Sequence, residues 1–315
     1  MLELPLFPQL RAAKDVLIAG AGGGFDLFSG LPLAFALKDQ GATVHLASLT
    51  FTYLGETDAP HLGWGVYEVG AQSEGGEYFP EKHLAAWFER RGDAQPIWCI
   101  ERQGLRPLKQ AYRLLHERLG FDTLVLVDGG TDSLMRGDEA DLGTPAEDVS
   151  SILAAASVSV PTRLLVCLGF GIDRFHGVCH AQFLEAVAEL GRAGAFHGAF
   201  SLTREMQEVR LFEEATQYVQ DRTAGRESVV CASIMSALAG EYGNVHRLER
   251  TRRSGSVMWI NPLMTLYWAF ELGAVADRIL YRDWIEETET LADLHIRIEA
   301  FRKQCAVRAR EEIPV

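Results

Sequence analysis

Two segments constrain the fold of this chain more than any others: Gly20-Ala21-Gly22-Gly23-Gly24-Phe25-Asp26 and Asp128-Gly129-Gly130-Thr131-Asp132-Ser133. Each follows a short apolar run rich in β-branched residues (16–19 and 124–127) and precedes a stretch with helical spacing. Uninterrupted apolar strands have no polar side, so they belong in a sheet covered on both faces. A strand that stops at glycines and hands over to a helix also presents backbone N–H groups at the carboxyl edge of a parallel sheet, where an anion can sit.

The same alternation predicts further strands at 43–49, 97–100 and 163–168, and helices over 26–37, 107–119, 145–156, 180–190, 203–220 and 227–238. Thr144 is predicted to cap the helix at 145–156. Toward the end come a strand at 257–260, a helix over 262–271, and an amphipathic helix carrying Leu291, Leu294, Ile298, Phe301 and Cys305. The expectation is an α/β protein: a mostly parallel, doubly wound, Rossmann-like sheet with helices on both faces, in a single domain spanning 1–315. An irregular insertion at about 51–96, rich in glycine, charge and aromatics, holds a short strand at 66–69 and a helix at 81–90. Insertions of this length are usually functional, so it reads as a lid or substrate wall.

The formal net charge of −13 argues against nucleic-acid binding, which needs a basic footprint, and against docking on anionic lipid. The dense cluster Arg247, Arg250, Arg252 and Arg253 reads as a solvated loop or a set of surface ion pairs. No uncharged apolar run reaches the ~20 residues of a membrane span. The five cysteines include no C-x-x-C pair and give neither a zinc site nor a disulfide framework. With no signal-peptide pattern at the N-terminus, a cytoplasmic protein is expected. A homo-oligomer is compatible with this composition.

The first glycine segment has the opening G-x-G of a dinucleotide fingerprint, but Phe25 stands where the third glycine belongs. The second predicted strand runs into Ser48-Leu49-Thr50, with no acid to hold a ribose. What remains is an anion-receiving turn at Gly22, Gly23 and Gly24. Asp26 reads either as the cap of the following helix or as a ligand to a metal or hydroxyl.

Charge concentrates after the second segment, in DGGTDSLMRGDEADLGTPAED. Asp128 and Asp132 flank a double glycine at a strand end. Clustered carboxylates there suit Mg²⁺ or Mn²⁺, or raise one another's pKa for acid–base work. Asp138 is a third candidate ligand and Glu139 a candidate for proton transfer. Asp141, Glu147 and Asp148 read as caps or surface charge. Gly129, Gly130 and Ser133 form a candidate phosphate cradle. A third turn, Gly169-Phe170-Gly171, offers further ligand-binding glycines and leads to His176 and His180. Of these two, His180 is kept as a proton-transfer candidate. Cys179 lacks the rest of a triad.

Gly129-Gly130-Thr131-Asp132-Ser133 resembles the G-G-x-D-S core of the ATP-pyrophosphatase loop, which implies a pyrophosphate cradle, although Asp128 stands where that family has serine. Over nearly its whole length the chain resembles an uncharacterised prokaryotic domain-of-unknown-function family. GAGGGFD, the acidic stretch, LGFGIDRFHGVCH and NPLMTLYWAFEL carry that resemblance, which implies an α/β unit and no established reaction. The residues lead to an expected metal-dependent hydrolase or phosphoryl or nucleotidyl transferase acting on a phosphorylated or nucleotide-like small molecule. Two alternatives stay open: an NAD(P)- or FAD-binding oxidoreductase, and a non-catalytic nucleotide-binding sensor or assembly subunit.

Overall fold

A computed structural model describes residues 2–313. The first half of the chain runs α1 (Leu6–Ala12), β1 (Asp15–Gly23), α2 (Asp26–Ser29), α3 (Leu31–Asp39), β2 (Thr43–Thr50), β3 (His61–Gly63), β4 (Val66–Val69), α4 (Pro80–Arg90), β5 (Ile97–Glu101), α5 (Leu105–Leu119), β6 (Thr123–Asp128) and α6 (Pro145–Ala156). It continues through β7 (Thr162–Leu168), α7 (His180–Arg192), β8 (Phe196–Ser201), α8 (Gln207–Gln220), α9 (Val229–Leu238), β9 (Gly243–Asn244), α10 (Glu249–Ser254) and β10 (Trp259–Ile260). The closing elements are β11 (Leu266–Glu271), α11 (Leu272–Asp277), α12 (Arg282–Ile285) and α13 (Leu291–Gln304).

Nine strands form one mostly parallel sheet in the order β3-β4-β5-β2-β1-β6-β7-β11-β8. The five central strands, β5 to β7 in that order, are all parallel to their neighbours. Antiparallel pairs occur only toward the two edges. Side chains alternate across each strand, so two cores form. Leu17, Leu126 and Leu165 pack with α5, α6 and α7 on one face, while Ile18, Val127 and Val166 pack with α3, α8 and α9 on the other. Among the described residues no helix is long and apolar enough to cross a membrane.

The structure corrects four local expectations. The helix predicted over 262–271 is a 3-10 turn, Pro262–Thr265, followed by β11. A short apolar run does not by itself distinguish strand from helix; here the segment pairs with β7 and β8, and its Trp268 packs against Phe196 of β8, Phe183 of α7 and Phe170 in the turn after β7. β8, unmarked in the sequence reading, is the outer partner of β11. The predicted helix at 26–37 divides at Gly30, where a Cβ would stand 2.6 Å from Ile18 Cγ2. The strand expected at 257–260 contracts to β10, paired with β9. The 51–96 segment adds β3 and β4 to the edge beside β5 and lays α4 on the sheet face that also carries α3 and α8.

Candidate functional site

β1 and β6 are adjacent, and the chain leaves them in different directions across the sheet: β2 lies beyond β1, and β7 beyond β6. Such a divergence opens a crevice at the carboxyl ends of the strands. A cleft of about 630 Å³ lies there, lined by both glycine segments. Five aspartates gather there, four of them lining the cleft and Asp148 close against Asp26 and Asp128. Asp26 opens α2, Asp128 ends β6, and Asp132 starts the 3-10 turn Asp132–Leu134. Asp148 sits in the first turn of α6, and Asp173 in the 3-10 turn Ile172–His176 after β7. Asp26 is half-buried and the other four are buried. One carboxylate oxygen from each of Asp26, Asp128 and Asp148 lies within 4.8 Å of the others.

The hydrogen bonds change the role expected of Gly22. The Gly22 N–H donates to Asp26 Oδ2 at 2.7 Å, so at this position the anion received is the protein's own carboxylate. The other acids are held in the same way. Thr131 N–H donates to Asp173 at 2.6 Å, the Ser133 hydroxyl to Asp128 at 2.5 Å, and Thr144 N–H and hydroxyl each to Asp132 at 2.8 Å. Thr144 precedes α6 as expected, but its hydroxyl contacts Asp132 and Asp148 instead of capping the helix. The glycines make room for carboxylates. A Cβ on Gly22 would strike Asp26 and Asp148, and one on Gly130 would lie 2.7 Å from both Asp173 oxygens. Gly129 borders Asp26 similarly, Gly23 lies against the Phe51 ring, and Gly24 faces Phe51 and Tyr78. Ser133, expected to cradle phosphate, is committed to Asp128.

Burial, and then the charge of Asp132, pushes the Asp26 carboxyl up to about 7. The same two causes raise Asp128, Asp148 and Asp173 well above the ordinary carboxylate range. Two carboxylates 4.8 Å apart repel by about 3 kcal/mol at an effective dielectric near 20, against about 1 kcal/mol gained by a typical hydrogen bond. Hydrogen bonds alone therefore do not offset the ionised cluster. Protons or a cation must complete it.

Five predicted residues lie elsewhere. Glu139 is fully buried beyond the cleft, accepting from the Arg136 and Gly137 amides beside Arg308. Asp138, expected as a metal ligand, pairs with Arg136 and Arg308 at 3.0 Å each. Burial alone would raise its carboxyl, but the two guanidiniums hold it below the usual range. Both acids fall outside the cluster because residues 136–139 turn toward α7 and the tail of the chain, where Arg136 reaches Glu189 and Arg308 meets both acids. His180 packs on the Phe170 ring behind Gly171, its pKa lowered by burial, and His176 is the histidine that lines the cleft. Gly169 and Gly171, with φ of 102° and 94°, do not line the cleft; they reverse the chain so that Asp173 reaches Thr131.

The sequence reading missed Asp148 and Asp173. Asp148 has the spacing of an ordinary acid near a helix start, and only its burial reveals otherwise. Asp173 follows the third glycine turn, a signal available from the pattern strand, glycines, acid that picked out Asp26 and Asp132. Arg250 was read with its neighbours as surface charge. Arg252 and Arg253 do pair with Glu249, but Arg250 lines the cleft.

Residues 88–304 match a family model described as "Protein of unknown function (DUF1152)", and the chain belongs to that family. No curated protein and no solved structure matches the chain.

Proposed function

We propose that this member of the family is a metal-dependent enzyme that acts on a phosphorylated, nucleotide-like small molecule by hydrolysis or by phosphoryl or nucleotidyl transfer. The convergence of Asp26, Asp128 and Asp148 within 4.8 Å, in a cleft large enough for such a molecule, carries the reading. An all-oxygen set of carboxylates suits Mg²⁺ or Mn²⁺, and the repulsion among them supplies the driving force for taking one up. The central strand order β5-β2-β1-β6-β7 supports a Rossmann-like, doubly wound sheet with its switch point at this cleft. The five free cysteines fit a reducing compartment, hence a cytoplasmic enzyme.

In this reading Asp26, Asp128 and Asp148 hold the cation, which would neutralise charge on a phosphate oxygen. Asp132 and Asp173, both lining the cleft, orient the attacking water or acceptor hydroxyl and take its proton. A new O–P bond then forms as the bond from phosphorus to the leaving oxygen breaks. The test is turnover across nucleotides and phosphate esters with Mg²⁺ or Mn²⁺ against chelator. Activity is expected only with the cation and is expected to be lost in Asp128→Asn. Turnover unchanged by chelator and by that substitution would sink the proposal.

A further inference from the structure

The cleft has a polarity that narrows its ligand. Asp26, Asp128, Asp132 and Asp173 line its floor, while its rim carries two arginines, Arg226 and Arg250, with Glu227 beside them accepting from the Gly225 N–H. In a chain of net charge −13, an arginine facing a cleft without a carboxylate partner calls for a reason. Arg250 forms no ion pair among the described residues; its guanidinium donates to the Glu227 carbonyl, which holds it beside Arg226. Arg226 reaches only Glu77, at 3.8 Å with both side chains largely exposed, a contact of little energetic weight. Neither arginine pairs with any of the five aspartates. The arginines and the aspartates therefore face one cleft without neutralising one another.

The layout along the sheet edge gives the ligand a direction. Arg226 lies over Tyr78, whose hydroxyl approaches Gly24 on the β1 and β2 side. Asp26, Asp128 and Asp132 occupy the middle, after β1 and β6, and Asp173 adjoins them after β7. Beyond them, after β7, Phe175 lines the cleft with 63% of its surface exposed, an aromatic face available for stacking. A molecule that satisfies all three regions has an anionic end, a group that meets the floor, and a flat apolar body.

We propose that the cleft binds a nucleoside di- or triphosphate, its polyphosphate lying between the aspartate floor and Arg226 and Arg250, and its base stacked on Phe175. This deepens the function proposed above and rests on it only for the cation at the floor. Arginine suits this task because its planar fork grips phosphate oxygens in pairs. A base stacked on an aromatic side chain adds comparable affinity whatever its sequence identity.

The test is calorimetric binding of four probes to the whole chain: Mn²⁺ alone and, in its presence, an imido-bridged nucleoside triphosphate, inorganic pyrophosphate, and a nucleoside monophosphate. The triphosphate analogue is expected to bind more tightly than the monophosphate. Arg226→Ala and Arg250→Ala are each expected to weaken the analogue and pyrophosphate by about tenfold or more, with Mn²⁺ binding unchanged. Phe175→Ala is expected to weaken the analogue and leave pyrophosphate as it was. Wild-type affinity for the analogue in both arginine variants overturns the proposal, as does a monophosphate that binds as tightly as the triphosphate. If the wild-type chain takes up no Mn²⁺ while analogue binding still depends on both arginines, the cation reading falls and the nucleotide assignment stands.

Discussion

Asp26 accepts a hydrogen bond from Gly22, yet its carboxyl is pushed up to about 7, first by burial and then by Asp132. The sign of the consequence follows. In the unfolded chain this group ionises near 3.8, so between there and pH 7 the native state holds a proton that the unfolded state has released. Its contribution to stability is full below that lower value and is lost as pH rises through about 7. A bound cation needs the ionised form and removes the repulsion that follows ionisation. Mg²⁺ or Mn²⁺ should therefore raise the melting temperature more at pH 8 than at pH 5, and thermal unfolding at the two values checks this; equal increments would contradict it. Asp128→Asn tests the same balance from the other side. The amide keeps an acceptor for Ser133 and spares the native state the cost of protonating that carboxyl or burying it ionised, so at pH 8 the cation-free variant should be more stable by about 1–2 kcal/mol and should lose the cation's stabilising increment. Urea unfolding with and without cation measures both effects. These residues also mark how far the site can be read from sequence. Asp128 and Asp132 stand out because they flank glycines at the end of an apolar run. Asp148 does not, because an acid in a first helical turn is ordinary until the fold buries it.

At the scale of elements, the parallel strands are legible because burial on both faces leaves no polar position in them. β1, β2, β5, β6 and β7 all meet that condition over most of their length. β8 fails it: the run Phe-His-Gly-Ala-Phe-Ser is only partly buried, being the outermost strand, and its identity depends on β11 pairing beside it. β11 has the reverse difficulty, an apolar run whose period suits a helix as well as a strand. Gly30 shows how tertiary contact decides an element's end. Helix propensity alone favours alanine over glycine by about 1 kcal/mol. Here the added methyl would lie 2.6 Å from Ile18 Cγ2 and 3.1 Å from Val127 Cγ2, both on strands that cannot retreat without disturbing the sheet. Overpacking of this kind costs about 1–3 kcal/mol and outweighs the propensity gain. Gly30→Ala should lower the urea midpoint; an unchanged or higher midpoint would mean that β1 and α2 yield more readily than their packing indicates.

Across the whole molecule, the segment after α13 joins parts that the sheet does not. The Arg308 N–H donates to the Asp138 carbonyl at 2.7 Å, and its guanidinium meets Asp138, Glu139 and Glu185. Arg310 donates to the carbonyls of Gly177 and Val178 at 2.9 and 3.0 Å. The Gln182 amide and the Cys179 thiol donate to the carbonyls of Ala309 and Glu311. The described part of the tail thus links the chain just after Asp132 to the chain just after Asp173, and none of its residues lines the cleft. Sequence gives little sign of this, since an arginine-rich tail ordinarily reads as solvated charge. The two arginines hold different kinds of partner and should behave differently when removed. Glu139 is fully buried and stands 3.5 Å from Arg308, so Arg308→Ala strands a charge that water cannot reach. That should cost about 2–3 kcal/mol. Arg310 holds carbonyls near the surface, and its loss should cost about 1 kcal/mol or less. Urea unfolding of the two single variants measures the contrast, and equal losses would show that Glu139 does not depend on Arg308 for its buried charge. Adding Glu139→Gln to Arg308→Ala should restore most of the lost stability, because the amide can still accept from Arg136 and Gly137 while needing no cation.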